Sequence, residues 1–139
     1  MNNENFEILA HISDFRLKVW GKDLKNLFSS ALQGMNSVLK NNYHELNKNE
    51  ITEKLNIVSI DTSMLLIDFL SEMLTLSHSR KAIFNYVDFF HINETTLGAE
   101  IKGERVNEFD EDIKAVTYTE NYITINKEGF YESLIVFDI

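Results

Sequence analysis

Two segments of this chain repeat their apolar residues at helical spacing, within a sequence that otherwise has the period of β-strands. The first segment begins after Asp23, a residue type that favours helix N-caps, and ends at Asn41 and Asn42. The second follows Asp61 or Thr62, either of which can cap a helix. Apolar intervals of three and four predict two helices that each bury one face. The apolar residues are Leu24, Leu27, Phe28, Ala31, Leu32, Met35, Val38 and Leu39 in the first segment, and Leu65, Leu66, Phe69, Leu70, Met73 and Leu74 in the second.

The other segments are rich in branched and aromatic residues, and several of them alternate apolar with polar residues, as half-buried strands do. Predicted strands lie near residues 6–8, 15–19, 51–60, 83–92, 97–102, 113–118, 122–125 and 131–139. Gly34 predicts a close approach between the first helix and the sheet, and Gly98 predicts a bulge. We therefore predict an α+β fold of two layers, a largely antiparallel sheet of short strands with two helices packed on one face. Residues 1–139 are predicted to form a single domain.

Composition excludes several classes of function. The chain has 139 residues, no cysteine and a net charge of −9 from 22 acidic and 13 basic residues. Thiol catalysis and thiolate zinc sites are therefore excluded, and the negative charge disfavours independent binding to nucleic acid. The N-terminus has no signal-peptide pattern, and no apolar run is long enough to cross a membrane. These features predict a cytosolic protein that meets a cation or a basic partner.

The last predicted strand ends in two adjacent carboxylates, those of Asp138 and the terminal residue Ile139. The apolar residues from Leu134 to Phe137 predict a central strand that is covered on both faces. Two carboxylates about 4 Å apart repel by about 4 kcal/mol at an effective dielectric constant of about 20. Water, a proton or a cation relieves this repulsion. A solvated chain end and a site for a hard cation such as Ca²⁺ or Mg²⁺ are both open at this point.

Three other residues have both an ordinary interpretation and a functional one. Asp14 lies in a predicted turn, where it can bond its own backbone or act as a third acid beside the chain end. His11 in the same turn is a structural hydrogen-bonding residue or a base. Lys114 is a solvated lysine on a strand or a contact for a partner. The acidic residues from Glu108 to Asp112 lack the ligand order of an EF-hand and are predicted to form a solvated loop.

Four segments taken together resemble the archease family. His-Ile-Ser-Asp-Phe-Arg-Leu-Lys-Val-Trp-Gly at 11–21 resembles the family's His-Thr-Ala-Asp motif and the strand that follows it. Residues 65–74 resemble its second helix, and Lys-Ala-Val-Thr-Tyr at 114–118 resembles its Lys-Ala-x-Thr-Tyr strand. The final Phe-Asp-Ile resembles the family's typical chain end. The departures from the family's common residues are Arg16, Phe69, Ser71 and Thr119.

This resemblance implies a non-catalytic, divalent-metal-binding protein cofactor of the GTP-dependent tRNA-splicing RNA ligase. Such a cofactor promotes guanylylation of the ligase and its multiple turnover. The resemblance implies that Asp14, Asp138 and the terminus of Ile139 bind the cation, with calcium as the first choice and magnesium or manganese as alternatives. Lys114 matches a family lysine that matters for activity. Lys114 and His11 are expected to lie beside the ligands or to face the partner.

Two other functions remain open at this stage. The first is a chaperone-like modulator of an RNA-modifying enzyme such as a tRNA methyltransferase, which the family resemblance also implies. The second is a small metal-dependent hydrolase that uses His11 as its base and the acids as metal ligands. The sequence offers no second plausible base or nucleophile, which counts against the hydrolase.

Overall fold

The computed structural model of the protein describes residues 5–10, 14–118 and 123–139. Two α-helices and eight strands follow one another in that part of the chain. A short 3-10 helix, Tyr43–Glu45, also follows the first α-helix. The elements are β1 (Phe6–Ala10), β2 (Asp14–Gly21), α1 (Leu24–Leu39), β3 (Ile51–Val58), α2 (Thr62–Arg80), β4 (Ala82–Ile92), β5 (Thr96–Arg105), β6 (Ala115–Tyr118), β7 (Thr124–Ile125) and β8 (Tyr131–Asp138).

The strands form two antiparallel sheets. The larger sheet has the order β1-β2-β8-β6, with β7 also paired to β8, and the smaller has the order β3-β5-β4. The prediction of an α+β fold with antiparallel strands and two helices is confirmed. The division into two sheets was not predicted, because apolar spacing identifies a strand but not the strand with which it pairs. The predicted central position of the last strand is also confirmed, since β8 pairs with β2 on one side and with β6 and β7 on the other. The prediction that both of its faces are covered is wrong, because Leu134 and Val136 on one face are only partly buried.

Both helices begin at the predicted caps. The Asp23 side chain accepts a hydrogen bond of 2.8 Å from the backbone N–H of Asn26, and Asp61 accepts one of 2.8 Å from Met64. Each bond satisfies a backbone donor that has no partner within the helix. Helix α2 ends at Arg80, and the capping residue Lys81 has the left-handed backbone (φ 52°) that is typical of a helix C-terminus. Neither helix is long and apolar enough to span a membrane, in the ranges that the structure describes.

The core lies between the helices and the two sheets. Helix α1 packs against β2 and β4, and α2 packs against β4 and β6, so each helix contacts both sheets. Phe28, Phe69 and Phe89 meet in this core, with ring centroids 5.7 Å apart in two pairs and 6.5 Å apart in the third. The predicted close approach at Gly34 is present, because a Cβ atom there would lie 2.6 Å from Cδ1 of Leu17.

Strand β4 carries two irregularities in its pairing with β5. One shift of register lies between Phe84 and Tyr86, and the other lies between Phe89 and His91. The bulge predicted from Gly98 therefore lies on the strand opposite that glycine, where His91 is its partner. A Cβ atom on residue 98 would come within 2.8 Å of the His91 ring, so glycine makes room for this side chain.

The acidic loop between β5 and β6 is attached to the end of α1. The carboxylate of Asp110 accepts a 2.6 Å hydrogen bond from the backbone of Asn41, and the Asp110 N–H donates to the carbonyl of Leu39 at 2.8 Å. Lys40 also lies 3.6 Å from the Asp110 carboxylate. Asp110 is exposed even so, as the predicted solvated loop requires, and its hydrogen bonds hold the loop against the end of the helix.

Candidate metal centre

The register of β2 against β8 brings an aspartate from near the start of the chain to the chain end. Asp14 is the Cα partner of Asp138 in this antiparallel pair. Directly opposite residues project from the same face of a sheet, with Cβ atoms about 4.5–5.5 Å apart. Like charges in this arrangement are destabilising. The two carboxylates therefore form a negatively charged pair beside Ile139, the residue that follows β8.

Asp14 is the first residue of β2, so its predicted place in a turn is wrong. The residue is in the strand because β8 extends as far as Asp138 and supplies a pairing partner. The Asp14 side chain is only 18% exposed, and its Oδ1 atom is buried without a hydrogen-bond partner among the described residues. A buried, unpaired carboxylate oxygen is costly. This oxygen is therefore suited to binding a cation.

The chain end is held in place from the other side of β8. The backbone N–H of Lys114 donates a 2.7 Å hydrogen bond to the carbonyl of Asp138, and Ala115 is the β6 partner of Asp138. The side chain of Ile139 is partly buried and packs against the core. Asp138 is exposed, but its backbone lies between two neighbouring strands. The terminal residues consequently have a defined position.

Lys114 lies immediately before β6 rather than within a strand, which corrects its predicted position. Pairing starts one residue later because β8 ends at Asp138, the partner of Ala115. The ammonium group of Lys114 lies 3.5 Å from a carboxylate oxygen of Asp112, and the two side chains are 64% and 71% exposed. An ion pair this exposed contributes little to stability. Lys114 is therefore accessible to a partner.

The remaining predicted site residues are His11 and the set of proposed metal ligands. His11 lies outside the described residues. Within residues 5–10, 14–118 and 123–139, no group of three or more His, Cys, Asp or Glu residues is arranged to hold a metal ion. The predicted ligand set contains only two such side chains, Asp14 and Asp138, and its third member is the main-chain carboxylate of Ile139. These donors are all oxygen atoms, which fit hard cations such as Ca²⁺, Mg²⁺ and Mn²⁺.

Comparison with known proteins identifies a family for this chain. The sequence model of the Archease protein family matches residues 6–139, which is nearly the whole chain. This chain belongs to the archease family. Protein archease of Methanosarcina barkeri is 26% identical over 141 residues, which cover 96% of this chain and 95% of that protein. An archease-like protein of Dictyostelium discoideum is 29% identical over 84% of this chain and 82% of its own length.

Two solved structures share the fold of this archease. The solution structure of protein 1598 of Methanobacterium thermoautotrophicum superimposes with a TM-score of 0.77 and 22% identity, over 97% of this chain and 99% of that one. The crystal structure of an archease from Thermotoga maritima, described as a possible chaperone, gives a TM-score of 0.63 and 15% identity over 96% of both chains. These similarities confirm the predicted α+β fold.

Sequence reasoning missed two charged neighbours of the candidate site in this archease. The sequence marks Arg16 only as a departure from the family's common residues, yet its Nε atom lies 3.8 Å from Oδ1 of Asp14. Asp112 was included in the solvated acidic run, yet it is the ion-pair partner of Lys114. The two-residue period of β2 was a usable signal for Arg16, because residues 14 and 16 of one strand project from the same face. No comparable signal indicated Asp112.

Proposed function

We propose that this archease is a non-catalytic, divalent-metal-binding protein cofactor that activates a GTP-dependent tRNA-splicing RNA ligase. It acts by promoting guanylylation of the ligase and its multiple turnover. The observation that carries the proposal is the pairing of Asp14 with Asp138 beside the chain end. This pairing joins the motifs at 11–21 and 137–139 that the family resemblance links to metal binding. Membership of the family over residues 6–139 supports the same function.

The proposed ligands are the carboxylates of Asp14, Asp138 and Ile139. Calcium is the first choice, and magnesium and manganese are the alternatives. The ion relieves the repulsion between these carboxylates and satisfies the buried Oδ1 atom of Asp14, which has no hydrogen-bond partner in the part of the chain that the structure describes. Calcium takes about six to eight oxygen ligands, so water or an oxygen atom of the ligase completes its coordination.

The ligase supplies both the catalytic residues and the RNA-binding surface. The net charge of −9 disfavours independent RNA binding by this archease, because phosphate neutralisation provides most of the affinity of nucleic-acid-binding proteins. The same charge favours association with a basic surface on the ligase. Lys114 lies next to the proposed site, is largely exposed and is available for a contact with the ligase.

The test is multiple turnover of the cognate ligase. Purified archease is added below the ligase concentration, with GTP, Mn²⁺ or Mg²⁺ and an excess of RNA ends to be joined. We expect many joining events per ligase molecule with archease, about one without it, and none with archease alone. A turnover number that archease does not change would contradict the proposal.

Asp138→Asn is expected to remove the stabilisation that calcium provides. In metal-free buffer we expect the free energy of unfolding to stay constant or to rise by up to about 1 kcal/mol, because one of two facing charges is lost. Calcium at about 100 times its Kd stabilises a protein by about 2.7 kcal/mol, and this increment should disappear. Thermal unfolding with EDTA and with calcium measures both effects.

The matched control is Asp88→Asn, which removes the same charge from an exposed aspartate on β4, in the sheet that does not contain the proposed ligands. This variant should keep the full response to calcium. A large loss of stability of Asp138→Asn in EDTA would show that Asp138 is structural rather than a ligand.

Lys114→Ala is expected to lower ligase turnover about tenfold, which corresponds to the loss of a contact worth about 1.4 kcal/mol. Its melting temperature and calcium response should match the unchanged protein, because the ion pair of the Lys114 side chain with Asp112 is exposed and contributes little to stability. Lys127→Ala is the control, since Lys127 is also exposed and precedes β8 at the end remote from Asp138. If both variants activate the ligase equally well, Lys114 has no role in the contact.

A chaperone-like modulator of an RNA-modifying enzyme, such as a tRNA methyltransferase, is the second candidate function. Two observations favour it: the Thermotoga maritima relative is described as a possible chaperone, and this chain has exposed apolar side chains. Phe90 is 60% exposed, Val58 is 78% exposed and Ile60 is 85% exposed. An archease that improves the solubility of a partner enzyme without raising ligase turnover would support this second function.

A further inference from the structure

We infer that the guanidinium of Arg16 is a positive charge built into the proposed metal centre. It lowers the affinity of the site for a divalent ion, and it takes the place of that ion when none is bound. The inference rests on the proposed ligand set of Asp14, Asp138 and Ile139. Arg16 thereby lowers the fraction of the protein that carries a metal ion at a given metal concentration.

The first support is the position of Arg16 on the sheet. Arg16 follows Asp14 by two residues on β2, so both side chains project from the same face, and its cross-strand partner is Val136. The Nε atom of Arg16 lies 3.8 Å from Oδ1 of Asp14. The guanidinium group of arginine is a cation in proteins. Arg16 therefore places a positive charge beside the proposed ligands.

The second support is that this ion pair is incomplete. A distance of 3.8 Å exceeds the range of N–H···O hydrogen bonds, which is about 2.7–3.2 Å. Oδ1 of Asp14 and Nε of Arg16 are both buried, and neither atom has a hydrogen-bond partner within residues 5–10, 14–118 and 123–139. Arg16 thus attracts the Asp14 carboxylate electrostatically without occupying the oxygen that a metal ion would bind. An incoming ion can bind Asp14 while Arg16 remains nearby.

The third support is the charge of the site. Three carboxylates carry a formal charge of −3, and Arg16 reduces this to −2. The affinity of oxygen-ligand sites for calcium depends on the number of charged ligands. Repulsion between a divalent ion and a guanidinium about 6 Å away, even at the dielectric constant of water, is large enough to lower affinity about tenfold. In the metal-free protein the same guanidinium reduces the repulsion between Asp14 and Asp138.

Calcium binding measured by titration calorimetry on the full chain tests the inference, with melting in EDTA as a second readout. Arg16→Gln should bind calcium at least about tenfold more tightly than the unchanged protein and melt at a lower temperature in EDTA. Arg16→Lys keeps the charge and should stay within about threefold of the unchanged affinity. Lys18→Gln removes one charge from the same face of β2, about 13 Å from Asp14, where salt screens it, and should change neither quantity.

An Arg16→Gln variant with unchanged or weaker calcium affinity would overturn the inference, and so would one that binds no calcium at millimolar concentrations. Tighter binding by Lys18→Gln as well as Arg16→Gln would also overturn it, because net charge rather than position would then be the cause. Ligase turnover tests the proposed function separately. Tighter calcium binding by Arg16→Gln with no activation of the ligase would contradict only the proposed function, and activation with unchanged affinity would contradict only the inference.

Discussion

A chain extended by a hexahistidine peptide after Ile139 is expected to lose most of its ability to activate the ligase, at least about tenfold in turnover. The peptide bond replaces the carboxylate of residue 139 with an amide carbonyl and removes one of the three charges proposed to bind the ion. The added residues also continue from a backbone that is held between β2 and β6, so they must leave the sheet next to the proposed site. Ligase turnover and the melting shift caused by calcium measure the loss.

Two controls separate the charge from the bulk of the extension. The same peptide at the N-terminus should leave activation unchanged. A chain that carries a carboxamide on Ile139, prepared by peptide ligation, loses the charge but adds no residue. This amidated chain should behave like the extended one. If the extended, amidated and unmodified chains activate the ligase equally, the terminal carboxylate is not a ligand.

Phe69→Ala is expected to have the largest effect on stability among the substitutions considered. The Phe69 side chain is fully buried, and its ring contacts those of Phe28 and Phe89 at centroid distances of 5.7 Å. Truncation of a buried phenylalanine costs about 3–5 kcal/mol, because the lost contacts leave a cavity that the surroundings fill only in part. That cost is a large fraction of the roughly 5–15 kcal/mol by which most domains are stable. Urea unfolding monitored by circular dichroism measures the change.

Phe90→Ala is the matched control for this substitution. Phe90 follows Phe89 on β4, but its side chain is 60% exposed. Its truncation should change the free energy of unfolding by no more than about 0.5 kcal/mol. A cost below about 1 kcal/mol for Phe69→Ala would mean that the three-ring cluster is not a principal part of the core.

Local patterns were sufficient to predict most of the secondary structure. Asp23 and Asp61 identified the starts of both helices, because a capping carboxylate acts on an N–H only three residues away. The apolar run before Asp138 identified a central strand, although the structure buries only one face of that strand. The family resemblance provided the candidate ligands, which stay predictions until a metal is measured.

The sequence by itself determined the helices, the central final strand and the identity of the acidic residues, because each depends on neighbours within one turn or one strand. Only the tertiary structure decided that the strands form two sheets, that Asp14 faces Asp138 and that Arg16 and Asp112 lie beside the site. The pairing of β2 with β8 joins residues more than a hundred positions apart. Such pairings depend on how the whole chain packs its apolar faces, and a shift by one residue would place Asp14 and Asp138 on opposite faces.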